Sequence, residues 1–181
     1  MELYLGKLGR LVTLAVVLAF IISAALLQTQ TASASRVDET PEDFVATLFD
    51  LVSFDAGVTP DWDVARSMFI PEAVIVLRTS REATTVFSVE GWIDDFVNFI
   101  ENSPAGEMGF TEKVVNMKSM VFGDMAHVLV LYAAQITGSP RPPRQGVDSF
   151  SLIKKDGRWL IVSITNELPT ADRPVPEVLQ N

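Results

Sequence analysis

From residue 40 onward the apolar positions recur first at helical spacing and then in alternation, and the change falls near Phe110. Phe44, Leu48 and Leu51, with Val45, Phe49 and Val52 beside them, form one stripe of a helix. Thr40 stands where an N-cap belongs, Pro41 at the first helical position, and Glu42 and Asp43 in the first turn. The stripe ends near Gly57. A second, shorter helix is predicted from Asp61 or Trp62, with Trp62, Ala65, Met68 and Phe69 inward, and Pro71 is expected to stop it. Residues 74–77 and 84–87 read as paired strands. Ser88 then caps a third helix that turns Trp92, Ile93, Phe96, Val97 and Ile100 inward and ends before Pro104.

Beyond Phe110 the chain becomes β-rich, and Gly123-Asp124 and Asp156-Gly157 each divide a long apolar-rich run. Such dipeptides between β-branched and aromatic residues signal two-residue hairpins. A tight first turn pairs Val121 with Ala126, Ser119 with Val128, Met117 with Val130 and Val115 with Tyr132, an almost wholly apolar face. Met120, His127, Leu129 and Leu131 then share the other, mixed face. The second turn pairs Leu152 with Ile161, Phe150 with Ser163 and Asp148 with Thr165, unless a one-residue bulge reverses the faces locally. Helices followed by a long antiparallel sheet predict an α+β domain, its curved sheet covered on one face by about three N-terminal helices.

The chain of 181 residues has room for one domain of ordinary size behind a targeting segment. Lys7 and Arg10 precede an apolar run from Leu11 to Leu27, and Ala32-Ser33-Ala34 follows. This is the order of a signal peptide over residues 1–34, with an uncleaved anchor as the alternative because the run is long. Either outcome places the domain outside the cytoplasm, secreted, periplasmic or held at the membrane by that segment alone. The net charge is −9, and the signal segment holds only Lys7, Arg10 and Glu2, so the rest is slightly more acidic still. That charge repels nucleic acid and anionic lipid. With no cysteine and one histidine, the chain lacks the usual ligands of a zinc or copper site, and no metal or cofactor is implied. The tail 168–181, with Pro169, Pro174 and Pro176, reads as an extended terminus.

Residues 40–167 resemble the nuclear transport factor 2-like superfamily, in particular its SnoaL-like and ketosteroid-isomerase-like branches. The resemblance is carried by Pro41-Glu42-Asp43-Phe44, by Met68-Phe69-Ile70-Pro71-Glu72-Ala73-Val74, by Gly123-Asp124-Met125-Ala126-His127-Val128 and by Lys155-Asp156-Gly157-Arg158-Trp159-Leu160-Ile161. It implies a cone-shaped fold with a pocket between sheet and helices, and often a homodimer through the sheet. It implies no single activity, because isomerases, dehydratases, hydrolases and adaptors share the fold.

Three functional readings follow. The first is an exported domain that binds an apolar small molecule in a pocket lined by Val115, Met117, Val128, Val130 and Tyr132. The second is an isomerase or lyase in the same pocket, with Tyr132 polarising a carbonyl and Asp148 moving a proton. The third is a non-catalytic dimeric interaction module of the cell envelope that uses the mixed face. His127 is expected on that mixed face, away from any pocket, and dehydratases of this group that rely on paired histidines find no second one here. Arg141 and Arg144, on a proline-stiffened loop, are placed to fork onto a carboxylate at the pocket mouth or to stand in solvent. Asp94-Asp95 marks the solvent face of the third helix, and nothing in the spacing of Glu72 assigns it to the cavity.

Overall fold

The structure is a computed structural model, and it describes residues 39–78 and 82–180. The described residues from Glu39 onward form one compact unit. The signal segment expected over residues 1–34 lies outside the described residues.

The first helix, α1, spans Pro41–Val52 and buries Phe44, Val45, Leu48, Phe49 and Val52. Its start follows the expected chemistry: Thr40 Oγ1 accepts from the Asp43 N–H at 3.1 Å, and Pro41 opens the first turn. A short strand β1 (Phe54–Asp55) leads to α2 (Trp62–Ser67), capped by Asp61. Strand β2 (Phe69–Arg78) begins well before the predicted residue 74, so Pro71 ends no helix. It lies where the pairing of β2 with β7 shifts between Phe69 and Val74, an irregularity that tolerates a residue with no N–H. Strand β3 (Thr84–Phe87) is followed by α3 (Val89–Asn102), whose Ser88 cap accepts from the Gly91 N–H at 3.2 Å. A fourth, short helix, α4 (Ala105–Met108), follows Pro104.

Four long strands complete the domain: β4 (Gly109–Phe122), β5 (Met125–Ile136), β6 (Arg144–Lys155) and β7 (Arg158–Glu167). Among the described residues the sheet has seven strands in the order β1-β4-β5-β6-β7-β2-β3, antiparallel except where β2 runs parallel to β7. That parallel pair departs from the expected all-antiparallel sheet. Strand β2 precedes the meander in the chain and pairs with the meander's last strand, β7, in the same direction. Both hairpin turns are tight, with positive φ at Gly123, Asp156 and Gly157. Helix α1 packs on β4 and β5 and α3 on β2, so the main core lies between the helices and one face of the sheet.

The C-terminal tail is ordered, contrary to the expectation of an extended terminus. A bridge joins Thr170 to Arg173, and a 3-10 turn at Glu177–Leu179 packs on β4. The Leu179 side chain is buried, and its carbonyl accepts from Asn116 Nδ2 at 3.1 Å. Leu131, the cross-strand partner of Asn116, is buried as well. The hairpin end of the same outer face stays bare, with Met120, Phe122, Met125 and Ile153 exposed. Among the described residues no helix is long and apolar enough to cross a membrane.

Candidate functional site

Two bulges decide which side chains face the helices. The pairing of β4 with β5 holds as expected from Phe122 and Met125 up to Asn116 and Leu131, and then shifts. Val114, not Val115, stands opposite Tyr132, and Val115 turns outward with about half its surface exposed. The same slip reverses the faces below it, so Glu112 shares the inner face with Phe110 and Val114. In the second hairpin the register shifts between Ser151 and Leu152, which places Ser163 opposite Ser151 and Asn166, not Thr165, opposite Asp148.

A cavity of about 960 Å³ opens between this inner face and the helices. Leu48, Phe49 and Val52 of α1 and Trp92, Phe96 and Phe99 of α3 form much of its apolar wall. Phe96, Phe99 and Phe110 pack as a cluster, with ring centroids 5.3 to 5.8 Å apart. Tyr132, Asp148, Asn166 and Glu112 add polar groups to the wall.

Asn166 joins two of them. Its Nδ2 donates to Asp148 Oδ1 at 2.6 Å and to Tyr132 Oη at 3.0 Å, while its Oδ1 accepts from the Arg78 backbone N–H at 3.4 Å. Because the Tyr132 oxygen accepts from Asn166, its own proton remains to be donated. The ring of Tyr132 is held between Phe49, at 5.8 Å between centroids, and the backbone of Gly146 on β6. Gly146 has no left-handed φ. It is needed for space, since a Cβ there would lie 2.2 Å from Tyr132 Cζ and Oη.

Burial sets the protonation of the site. It pushes the Asp148 carboxyl up to about 7, against the opposing hydrogen bond from Asn166. Glu112 rises to about 8, through burial first and then repulsion from Asp148. The Tyr132 phenol is raised far above its ordinary value by burial and then by both carboxylates. At neutral pH the cavity therefore presents a protonated phenol, a largely neutral Glu112 and an Asp148 poised between acid and base.

Of the residues expected to line the pocket, Tyr132 and Asp148 do so, on one face and bridged by one amide. Val128 and Val130 are fully buried but lie nearer the hairpin, in core that α1 has filled, and Met117 packs against that core. Val115 faces outward at the bulge. His127 is exposed on the outer face, its Nδ1 3.3 Å from Ser151 Oγ. Glu72, Asp94 and Asp95 are exposed, although Asp95 also reaches the cavity wall. Arg141 and Arg144 line the cavity too. Sequence reasoning missed Glu112 and Asn166, since unbroken alternation from either turn puts both on the wrong face. The signal for Glu112 was its alternation with Phe110 and Val114. Among the described residues no cluster of histidine and acidic side chains is placed to hold a metal ion.

No protein-family model matches this chain, and a search of curated proteins found no match. Solved structures do match. An NTF2-like protein with a cystatin-like fold from Novosphingobium aromaticivorans superposes with a TM-score of 0.57 at 14% identity, over 84% of this chain and 92% of that one. An NTF2-like protein of unknown function from Pseudomonas putida gives 0.54 at 9% identity, over 81% and 94%. The chain has the nuclear transport factor 2-like fold. Yeast UBP3-associated protein BRE5 shares it, with a TM-score of 0.53 at 11% identity over 73% of this chain and 98% of that one. At such identities the nuclear transport factor 2-like likeness concerns the fold alone, and function has to be argued from the site.

Proposed function

We propose that this domain binds a mostly apolar small molecule carrying a carbonyl or hydroxyl oxygen, in the cavity between the helices and the sheet. The observation that carries the reading is the single Asn166 amide that orients both Tyr132 and Asp148 within a largely aromatic and aliphatic wall. A ligand oxygen there accepts a hydrogen bond from the Tyr132 hydroxyl, and the neutral Glu112 supplies a second donor. Neutral donors suit a neutral oxygen, because burying a charge beside Asp148 and Glu112 carries a desolvation penalty and repulsion. A thermal-shift and titration panel of apolar ketones against hydrocarbons of the same shape tests this. The ketones are expected to bind more tightly, and Tyr132→Phe to weaken them by roughly three- to tenfold, the worth of one hydrogen bond. Equal binding of ketone and hydrocarbon would overturn the reading.

The Asp148 carboxyl, raised to about 7 beside that phenol, favours a second reading: an isomerase or lyase that moves a proton next to a carbonyl. Tyr132 would stabilise the developing oxyanion while Asp148 takes the proton and returns it. The same ketones in deuterium oxide separate binding from chemistry. Exchange of the proton beside the carbonyl in the wild type, lost in Asp148→Asn, supports the enzyme; no exchange in either leaves a binding domain.

The signal segment supports a place outside the cytoplasm. The bare hairpin end of the outer face, Met120, Phe122, Met125 and Ile153, supports self-association of two copies there. Light scattering is expected to give twice the chain mass, falling to the single mass in Phe122→Glu. A wild type that is monomeric at every concentration removes the dimer.

A further inference from the structure

A smaller cavity of about 610 Å³ adjoins the main one, and Arg78, Arg144 and Leu168 line both. Around this junction and the main mouth stand Arg78, Arg141, Arg144 and Arg173. The facing acid in the smaller cavity is Glu167, and it is already engaged. Arg78 forks onto it, with Nε at 3.1 Å from Oε1 and Nη2 at 2.6 Å from Oε2, while Arg173 Nη1 lies 3.0 Å from Oε2. The guanidinium groups of Arg141 and Arg144 have no hydrogen bond or ion pair with any described residue. Asp95 also lines the main cavity, and Glu112 and Asp148 lie in its wall. In a chain of net charge −9, a rim with two unengaged cations and an already neutralised acid is a local reversal of sign.

We propose that the ligand is an amphipathic carboxylate: its apolar body fills the main cavity and its carboxylate is held at the junction of the two cavities by Arg144. The proposal rests on the reading that the main cavity takes an apolar body, and it adds the class of the ligand and the residue that selects it. Arg144 opens β6 directly after Pro142 and Pro143, which limit the freedom of the loop that carries it. The position lies two residues from Gly146, where Tyr132 crosses β6, so head and inner oxygen sites are fixed on one strand. A guanidinium gives a carboxylate two parallel hydrogen bonds, and unlike an ammonium it fixes the orientation of the bound group. Positive charge at the mouth of a low-dielectric cavity also draws anions to it, although the whole chain is acidic.

The test uses 1-pyrenebutyrate and 1-pyrenebutanol, which share one aromatic body and differ at the head, titrated by fluorescence into the full chain. The acid is expected to bind at least about tenfold more tightly than the alcohol at low salt, with the preference shrinking as salt is added. Arg144→Gln, which removes no hydrogen bond or ion pair with a described residue, is expected to lower the acid to about the affinity of the alcohol while changing the alcohol far less. If the alcohol binds as well as the acid, or the preference survives in Arg144→Gln, the carboxylate site is wrong while the cavity reading stands. If neither molecule binds, the cavity reading fails and the carboxylate site fails with it.

Discussion

Between about pH 5 and pH 8 the folded domain is expected to lose several kcal/mol of stability, and Asp148→Asn to remove roughly half of that loss. A free Asp or Glu in the unfolded chain ionises near pH 4, whereas burial holds Asp148 protonated to about 7 and Glu112 to about 8. Below pH 4 both states carry the protons and the fold bears no penalty. Above it the unfolded chain releases them first, and each group then removes about 1.4 kcal/mol of stability per pH unit until its folded value is passed. Asp148 alone accounts for an upper figure of about 4 kcal/mol, a large part of the stability of an ordinary domain. Glu90 and Glu167 act in the opposite sense. Arg66 holds the first and Arg78 the second below the usual carboxylate range, so their contribution is lost only as pH falls through that range. Maximum stability is therefore expected between about pH 4 and pH 5. Denaturant midpoints measured at half-unit steps check it, and Asn at position 148 keeps an oxygen to accept from Asn166. A flat profile above pH 5, or an unchanged slope in Asp148→Asn, would show that these carboxyls ionise freely in the folded state.

Gly146→Ala is expected to destabilise the domain by about 2 to 3 kcal/mol, the range for forcing extra volume into packed core. The added Cβ would lie 2.2 Å from Tyr132 Cζ and Oη and 2.6 Å from Cε1. Phe49 closes the other side of the ring, so the phenol has to shift as a unit, and its 3.0 Å bond from Asn166 is lost. The midpoint of thermal unfolding should fall by roughly 10 °C. Ligand binding through the Tyr132 hydroxyl should weaken with it. A double-mutant cycle isolates the cause: in a Tyr132→Ala background the glycine substitution should be nearly neutral. An equal penalty with and without the tyrosine ring would mean that Gly146 serves the backbone and not the ring.

Several elements of this domain were legible in the residues alone. Thr40 and Ser88 cap the helices they were expected to cap, and both tight turns form at Gly123-Asp124 and Asp156-Gly157. These signals act within a few residues of chain, where capping geometry and φ preferences decide the outcome. Tyr132 and Asp148 could also be singled out, because a phenol and a carboxylate on an otherwise apolar face attract notice in any register.

What surrounds them was decided only by tertiary structure. A bulge at Val115 and a register shift opposite Ser151 moved Glu112 and Asn166 onto the inner face; the alternation of Glu112 with Phe110 and Val114 marks the first, and no turn residue or break in pattern marks the second. A strand carries side chains with a period of two, so one extra residue reverses every assignment beyond it, and the energy that chooses its place is the packing of distant partners. The glycine that admits the Tyr132 ring, the tail turn that packs on β4 and the cavity left where α1 stops filling the sheet all come from chain segments far apart in sequence. The sequence by itself determined three of the helices, the hairpins and two polar residues of the site; the fold decided that Asn166 would join those two and that Glu112 and Arg144 would face the same space.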